Sequence, residues 1–73
     1  MTLDEIFECA QRIRLHWENG RCCREAGGGL RMRVLHAGCL VSDDLMSLDE
    51  ASRIAMECEN VALAFPPMPA RAR

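Results

Sequence analysis

Residues 2–5 read TLDE and residues 47–50 read SLDE, and each phrase stands at the head of an apolar stripe with helical spacing. Thr2 and Ser47 are residue types that cap a helix N-terminus well. Glu5 and Glu50 follow three positions later, where a carboxylate can return the hydrogen bond to the cap. Acids here also meet the positive end of the helix dipole. Behind the first phrase Leu3, Ile6, Phe7, Ala10, Ile13 and Trp17 recur at three- and four-residue steps, and behind the second Leu48, Ala51, Ile54, Ala55, Cys58, Val61, Ala62 and Phe65 do the same. Two capped amphipathic helices therefore frame the chain. Beyond the caps the two stretches share little, so they are one local solution used twice rather than an internal repeat.

Asn19-Gly20 suits the end of the first helix, and Pro66-Pro67 stops the last. Between the helices, residues 21–41 admit two readings. As strands, Leu30, Met32 and Val34 alternate with Arg31 and Arg33, and AGGG turns a hairpin back onto RCCRE. As a helix, Leu30, Val34, Ala37 and Val41 form a stripe that Leu35 and Leu40 widen. Only Val34 and Val41 are β-branched in this stretch, while Leu, Arg, Met and Ala favour helix, so composition supports the second reading. The triple glycine then joins two helices, and Ser42-Asp43-Asp44 forms a second connection or an early cap. The expected fold class is all-α, a small three-helix arrangement, with an α-β-β-α fold carrying a central hairpin as the alternative. One domain over 1–65 and a flexible Pro/Arg tail over 66–73 complete the expectation.

A chain of 73 residues buries only roughly 60% of its unfolded surface, so a partner chain, a metal or disulfides usually help such a core. Five cysteines, an odd number with Cys22 and Cys23 adjacent, and no apolar leader imply free thiols and a cytoplasmic setting. No apolar run approaches the ~20 residues that span a bilayer, and no membrane association is expected. All nine basic residues are arginine, and tyrosine is absent, a bias that fits GC-rich coding and a bacterial or phage origin.

Charge is segregated. Residues 12–33 hold six arginines against Glu18 and Glu25, while residues 43–59 hold six acids against Arg53. Such separation steers a charged partner or closes on itself within a fold or across a dimer. The basic centre, Arg21, Arg24, Arg31 and Arg33 with Arg12 and Arg14, suggests phosphate contacts. An acidic balance, with net charge −2, and only three aromatic residues weigh against nucleic acid as the partner.

Catalytic and metal chemistry find little footing. His36-x-x-Cys39 has zinc-ligand spacing, with His16, Cys22 and Cys23 as further candidates, but there is no Cys-x-x-Cys, and adjacent cysteines diverge. Arg21 and Arg24 flank Cys22 and Cys23 and favour a reactive thiolate, yet a nucleophile also needs a positioned base and a cleft. AGGG lacks the Lys-Ser/Thr of a phosphate loop and the spaced glycines of a dinucleotide site. No enzyme activity, cofactor or metal is expected.

Protein binding remains. The stripes are wide for so small a core, and Phe7, Trp17 and Met46 are typical of apolar interface centres. A homodimer through helix faces supplies the missing burial. The carboxylates of Asp43, Asp44, Asp49 and Glu50 are placed to mimic phosphate in a basic groove of a protein partner. In size, charge and coding bias the chain is similar to the small inhibitors that phages make against host nucleic-acid machinery, the anti-CRISPR proteins among them. Those general properties carry the comparison, and no motif does. The expected function is a non-enzymatic interaction module that occupies a partner surface, with a nucleic-acid-binding regulator as the alternative.

Overall fold

Thr2 accepts the Glu5 N–H on its hydroxyl at 3.2 Å, and the Glu5 carboxylate accepts the Thr2 N–H at 2.7 Å, so the first capping box is complete. Ser47 accepts the Glu50 N–H at 3.1 Å, but no return bond from Glu50 forms, so its carboxylate stays outside the cap. These caps start α1 (Leu3–Glu18) and α3 (Leu48–Ala64), and between them lies α2 (Arg24–Ser42) in a computed structural model that describes residues 1–65. The all-α reading is correct. The α-β-β-α alternative is not, because every residue of 24–42 is helical and the described residues contain no strand. The tail proposed over 66–73 lies outside the described residues.

The triple glycine is also not the connector it resembled. Cys23 caps α2, its sulfur accepting the Ala26 N–H at 3.4 Å, and Gly27, Gly28 and Gly29 form the next turn of the helix. Tertiary packing overrides their poor helix propensity. A Cβ on Gly27 would stand 2.6 Å from Cε3 of Trp17 and 3.2 Å from the Cys22 sulfur. A Cβ on Gly38 would stand 2.8 Å from two ring carbons of Phe7. Two rings of α1 thus lie on two bare patches of α2, and there the helices approach more closely than side chains would allow.

The core is built largely from small residues. Ile6, Cys9, Ala10 and Ile13 of α1 meet Val34 and Ala37 of α2 and Ala51, Ala55, Cys58 and Ala62 of α3. The buried side of α3 carries nothing larger than cysteine. That choice brings helix backbones together but leaves little apolar volume to hold them. The outer edge of the α3 stripe, Val61 and Phe65, stays exposed, and Ile54 is half-buried. The sequence stripe is wider than one chain buries.

An ion pair ties α1 to α3. Arg12 donates to Glu59 through Nε at 2.6 Å and through a terminal nitrogen at 3.0 Å. These bonds hold the Glu59 carboxyl below its ordinary 4.5, against the opposing pull of burial. The Thr2 amide does the same for Glu5. A carboxyl whose folded value lies below its unfolded one adds stability that is complete above the unfolded value and is lost as pH falls through the folded one. The urea midpoint is therefore expected to fall below pH 4.5, the unshifted carboxyl value, and Glu59→Gln is expected to make that acid decline shallower. Equal slopes below that pH for the wild type and the Glu59→Gln variant would contradict the assignment.

Candidate interaction surface

The connection between α2 and α3 collects the acidic residues singled out in the sequence. After the cap at Asp43, Asp44 N–H donates to Val41 O at 3.1 Å and Leu45 N–H to Leu40 O at 2.8 Å. This pair of bonds needs a left-handed residue at its pivot, and Asp44 supplies it with φ 57°. α1 ends in the same way around Gly20 at φ 75°, with Gly20 N–H bonded to Trp17 O and Arg21 N–H to His16 O. Glycine takes this conformation freely, whereas aspartate does so at a cost of roughly 1 kcal/mol.

The reversal throws its side chains outward. Leu45 is 73% exposed, the most exposed of the large apolar residues described. Asp43, Asp44, Asp49 and Glu50 are exposed in the same turn and in the first turn of α3. None of the four enters an ion pair among the described residues, where the pairs are Arg12–Glu59 and Arg14–Glu18. The turn therefore presents an apolar tip among carboxylates that no cation of the described residues neutralises.

The basic centre is not gathered on one face. Arg12 is engaged by Glu59 and Arg14 by Glu18. Arg21 lies exposed in the first connection, and Arg24 opens α2. Arg31 and Arg33 are two residues apart on a helix, so they point to different sides. Arg31 is half-buried, with its Nε lacking a hydrogen-bond partner among the described residues, while Arg33 is exposed and its charge offsets part of the burial felt by the Cys58 thiol.

The three apolar residues expected at an interface are all engaged within the chain. Phe7 and Trp17 lie half-buried on Gly38 and Gly27, and Met46 packs against the core. The exposed apolar residues are others, and their signal was present: Val61 and Phe65 sit on the far edge of the α3 stripe.

Cys9, Cys22 and Cys58 are buried and serve packing. Cys9 donates to Ala55 O at 3.4 Å, and burial pushes its thiol up to about 11. Burial also raises Cys22 and Cys58, so the arginines flanking Cys22 do not produce the low value that its neighbours in sequence suggested. His36 and Cys39 lie exposed on α2, and no three His, Cys, Asp or Glu side chains among the described residues converge as metal ligands. None of the described helices is long and apolar enough to cross a membrane.

A second surface feature opens between the start of α2 and the end of α3. It is a groove of about 320 Å³ lined by Ala26, Gly29 and Leu30 on one side and Val61 and Phe65 on the other, with Glu25 at its rim. Gly29 differs from Gly27 and Gly38 in that a Cβ there would have nothing within 4 Å, so no ring among the described residues covers it. Comparison with protein-family models, with curated proteins and with solved structures finds no match to this chain.

Proposed function

We propose that this chain is a non-enzymatic protein-binding module that acts by occupying a surface of another protein, with the leucine-tipped acidic turn between α2 and α3 as its contact. The observation that carries this reading is Leu45, 73% exposed among four carboxylates that no cation of the described residues neutralises. An apolar anchor with a charged rim fits a pocket bordered by arginine or lysine, where the anchor supplies affinity and the rim supplies steering and register. A groove that normally takes nucleic-acid phosphate has that chemistry, so occupancy by this turn blocks it. A phage- or mobile-element-encoded inhibitor of host nucleic-acid machinery is the finer form of the proposal, and it rests on composition and charge. The high thiol value of Cys9, which keeps that buried sulfur protonated, supports a packing role over a nucleophilic one.

The test places a photo-crosslinking residue at position 45 and compares wild type with Asp43→Lys plus Asp49→Lys in host lysate. Crosslinks to a defined protein are expected, weakened about 10- to 100-fold in the lysine variant. Equal capture by both proteins overturns the proposal. So does binding to DNA or RNA with a steep salt slope that Arg31→Ala plus Arg33→Ala removes.

A further inference from the structure

The groove between α2 and α3 and the glycine in its wall describe a surface with one side missing. Two of the glycines in α2 are covered by a ring from α1, Trp17 over Gly27 and Phe7 over Gly38. Gly29 lines the groove, uncovered by any described residue, and Phe65, 39% exposed, stands across from it. A glycine inside a helix weakens it by roughly 0.5–1 kcal/mol relative to alanine. Nothing among the described residues uses the space at Gly29.

We infer that the α2–α3 face pairs with the same face of a second copy of this chain, each Phe65 closing over Gly29 of the other. This deepens the protein-binding reading by naming a partner, and it rests on a different surface from the acidic turn. The geometry follows from the direction of the helices. The start of α2 and the end of α3 line one groove, so the two run antiparallel, with Ala26 and Gly29 level with Val61 and Phe65. Arg33, one turn beyond Gly29, stands beside Cys58 and hence at the height of Glu57. A two-fold axis parallel to the helices and lying in this face keeps every height and exchanges the helices. α3 of the second copy then covers α2 of the first.

Two complementary contacts result. Phe65 and Val61 of each copy meet the bare backbone of Gly29 and the side chains of Ala26 and Leu30. Glu57 of each copy meets Arg33 of the other, and neither residue has an ion-pair partner among the described residues of its own chain. The symmetry repeats each contact, as a closed isologous dimer requires. The half-buried Ile54 lies on the same edge of α3, so the face continues as an apolar strip beyond the groove. The surplus width of the α3 stripe is then accounted for.

Sedimentation at tens of micromolar tests the pairing, with wild type expected at twice the 8.2 kDa chain mass. Arg33→Glu and Glu57→Arg each place like charges together twice, and each is expected to weaken association by about 100-fold or more. Mixing the two variants makes every such pair opposite in sign, and the dimer is expected to return. Gly29→Leu fills the groove and is expected to give a folded monomer, whereas Gly28→Ala, away from the groove, is expected to leave the dimer intact. A wild-type monomer overturns the inference, leaving the groove to another protein, as does a mixture of the charge variants that stays monomeric. Neither result touches crosslinking from position 45, so failure of the dimer and failure of the acidic-turn reading are told apart.

Discussion

Ile13→Ala is expected to destabilise the fold by about 3–5 kcal/mol, the upper part of the range for truncating a buried isoleucine. The side chain is fully buried, and only Ile6 and Val34 are comparably large among the fully buried residues. Five of the ten core positions are alanine and two are cysteine. Such residues have no long side chain to swing into a void, so the cavity persists and the cavity penalty adds to the lost transfer energy. A domain with roughly 0.05–0.15 kcal/mol of stability per residue has little beyond that to lose. Chemical denaturation at constant protein concentration should show a variant near the limit of folding, with Leu15→Ala, at a 46% exposed site on the same helix, within about 0.5 kcal/mol of wild type. An Ile13→Ala loss under about 1.5 kcal/mol would mean that the small-residue core collapses around the void.

The second large effect is expected at Gly27. Gly27→Val drives a branched side chain against the Trp17 ring, where even a Cβ would stand 2.6 Å from Cε3 and 3.1 Å from the Trp17 Cβ. Because the second of these atoms is the base of the tryptophan side chain, rotating the ring is not enough, and α1 must move from α2. Overpacking of this kind costs about 2–3 kcal/mol. One residue on, Gly28 has open space, so Gly28→Ala is expected to gain about 0.5–1 kcal/mol through helix propensity alone. Thermal melts of the two variants should therefore move in opposite directions. A Gly27→Val melting temperature at or above wild type would show that the ring does not close on that backbone in solution.

Local chemistry made the outer helices legible. TLDE and SLDE announced their own caps, and Ile6, Ala10, Ile13, Ala51, Ala55, Cys58 and Ala62 fall on the buried sides that their spacing indicated. α2 was harder because three adjacent glycines carry a strong signal for a connection, and the packing that holds the first of them in the helix, Trp17 on Gly27, comes from another element. A trace of that reason was still present in the sequence: Gly27, Val34 and Gly38 recur on one helical face at steps of seven and four, a pattern that marks close approach.

The surface divided along the same line. The exposure of Asp43, Asp44, Asp49 and Glu50 follows from their places at a turn and a helix start, and the sequence located it. Whether Arg12 stands free depends on Glu59, 47 residues away, and no periodicity links the two. Reading Arg12, Arg14, Arg21, Arg24, Arg31 and Arg33 as one basic face required knowing that Glu59 of α3 would engage Arg12, although the Arg14–Glu18 pair, one helical turn apart, was within reach of spacing. Pairing between distant elements is what one-dimensional spacing does not encode.

The glycine turn of α2 has one more consequence, for the order in which the fold opens. Three consecutive residues with the greatest backbone freedom follow the Cys23 sulfur cap, and although the Trp17 ring and the Cys22 sulfur pack on the first of them, a Cβ on either of the other two would meet no described residue within 4 Å. Opening free energies vary along a native chain, and weakly restrained helix ends lie at the low end. The amides of residues 27–29 should therefore exchange with solvent sooner than those around Val34, in the buried middle of the same helix. One wall of the groove is thus the part of the helix that most readily comes and goes, and whatever settles there also holds it closed.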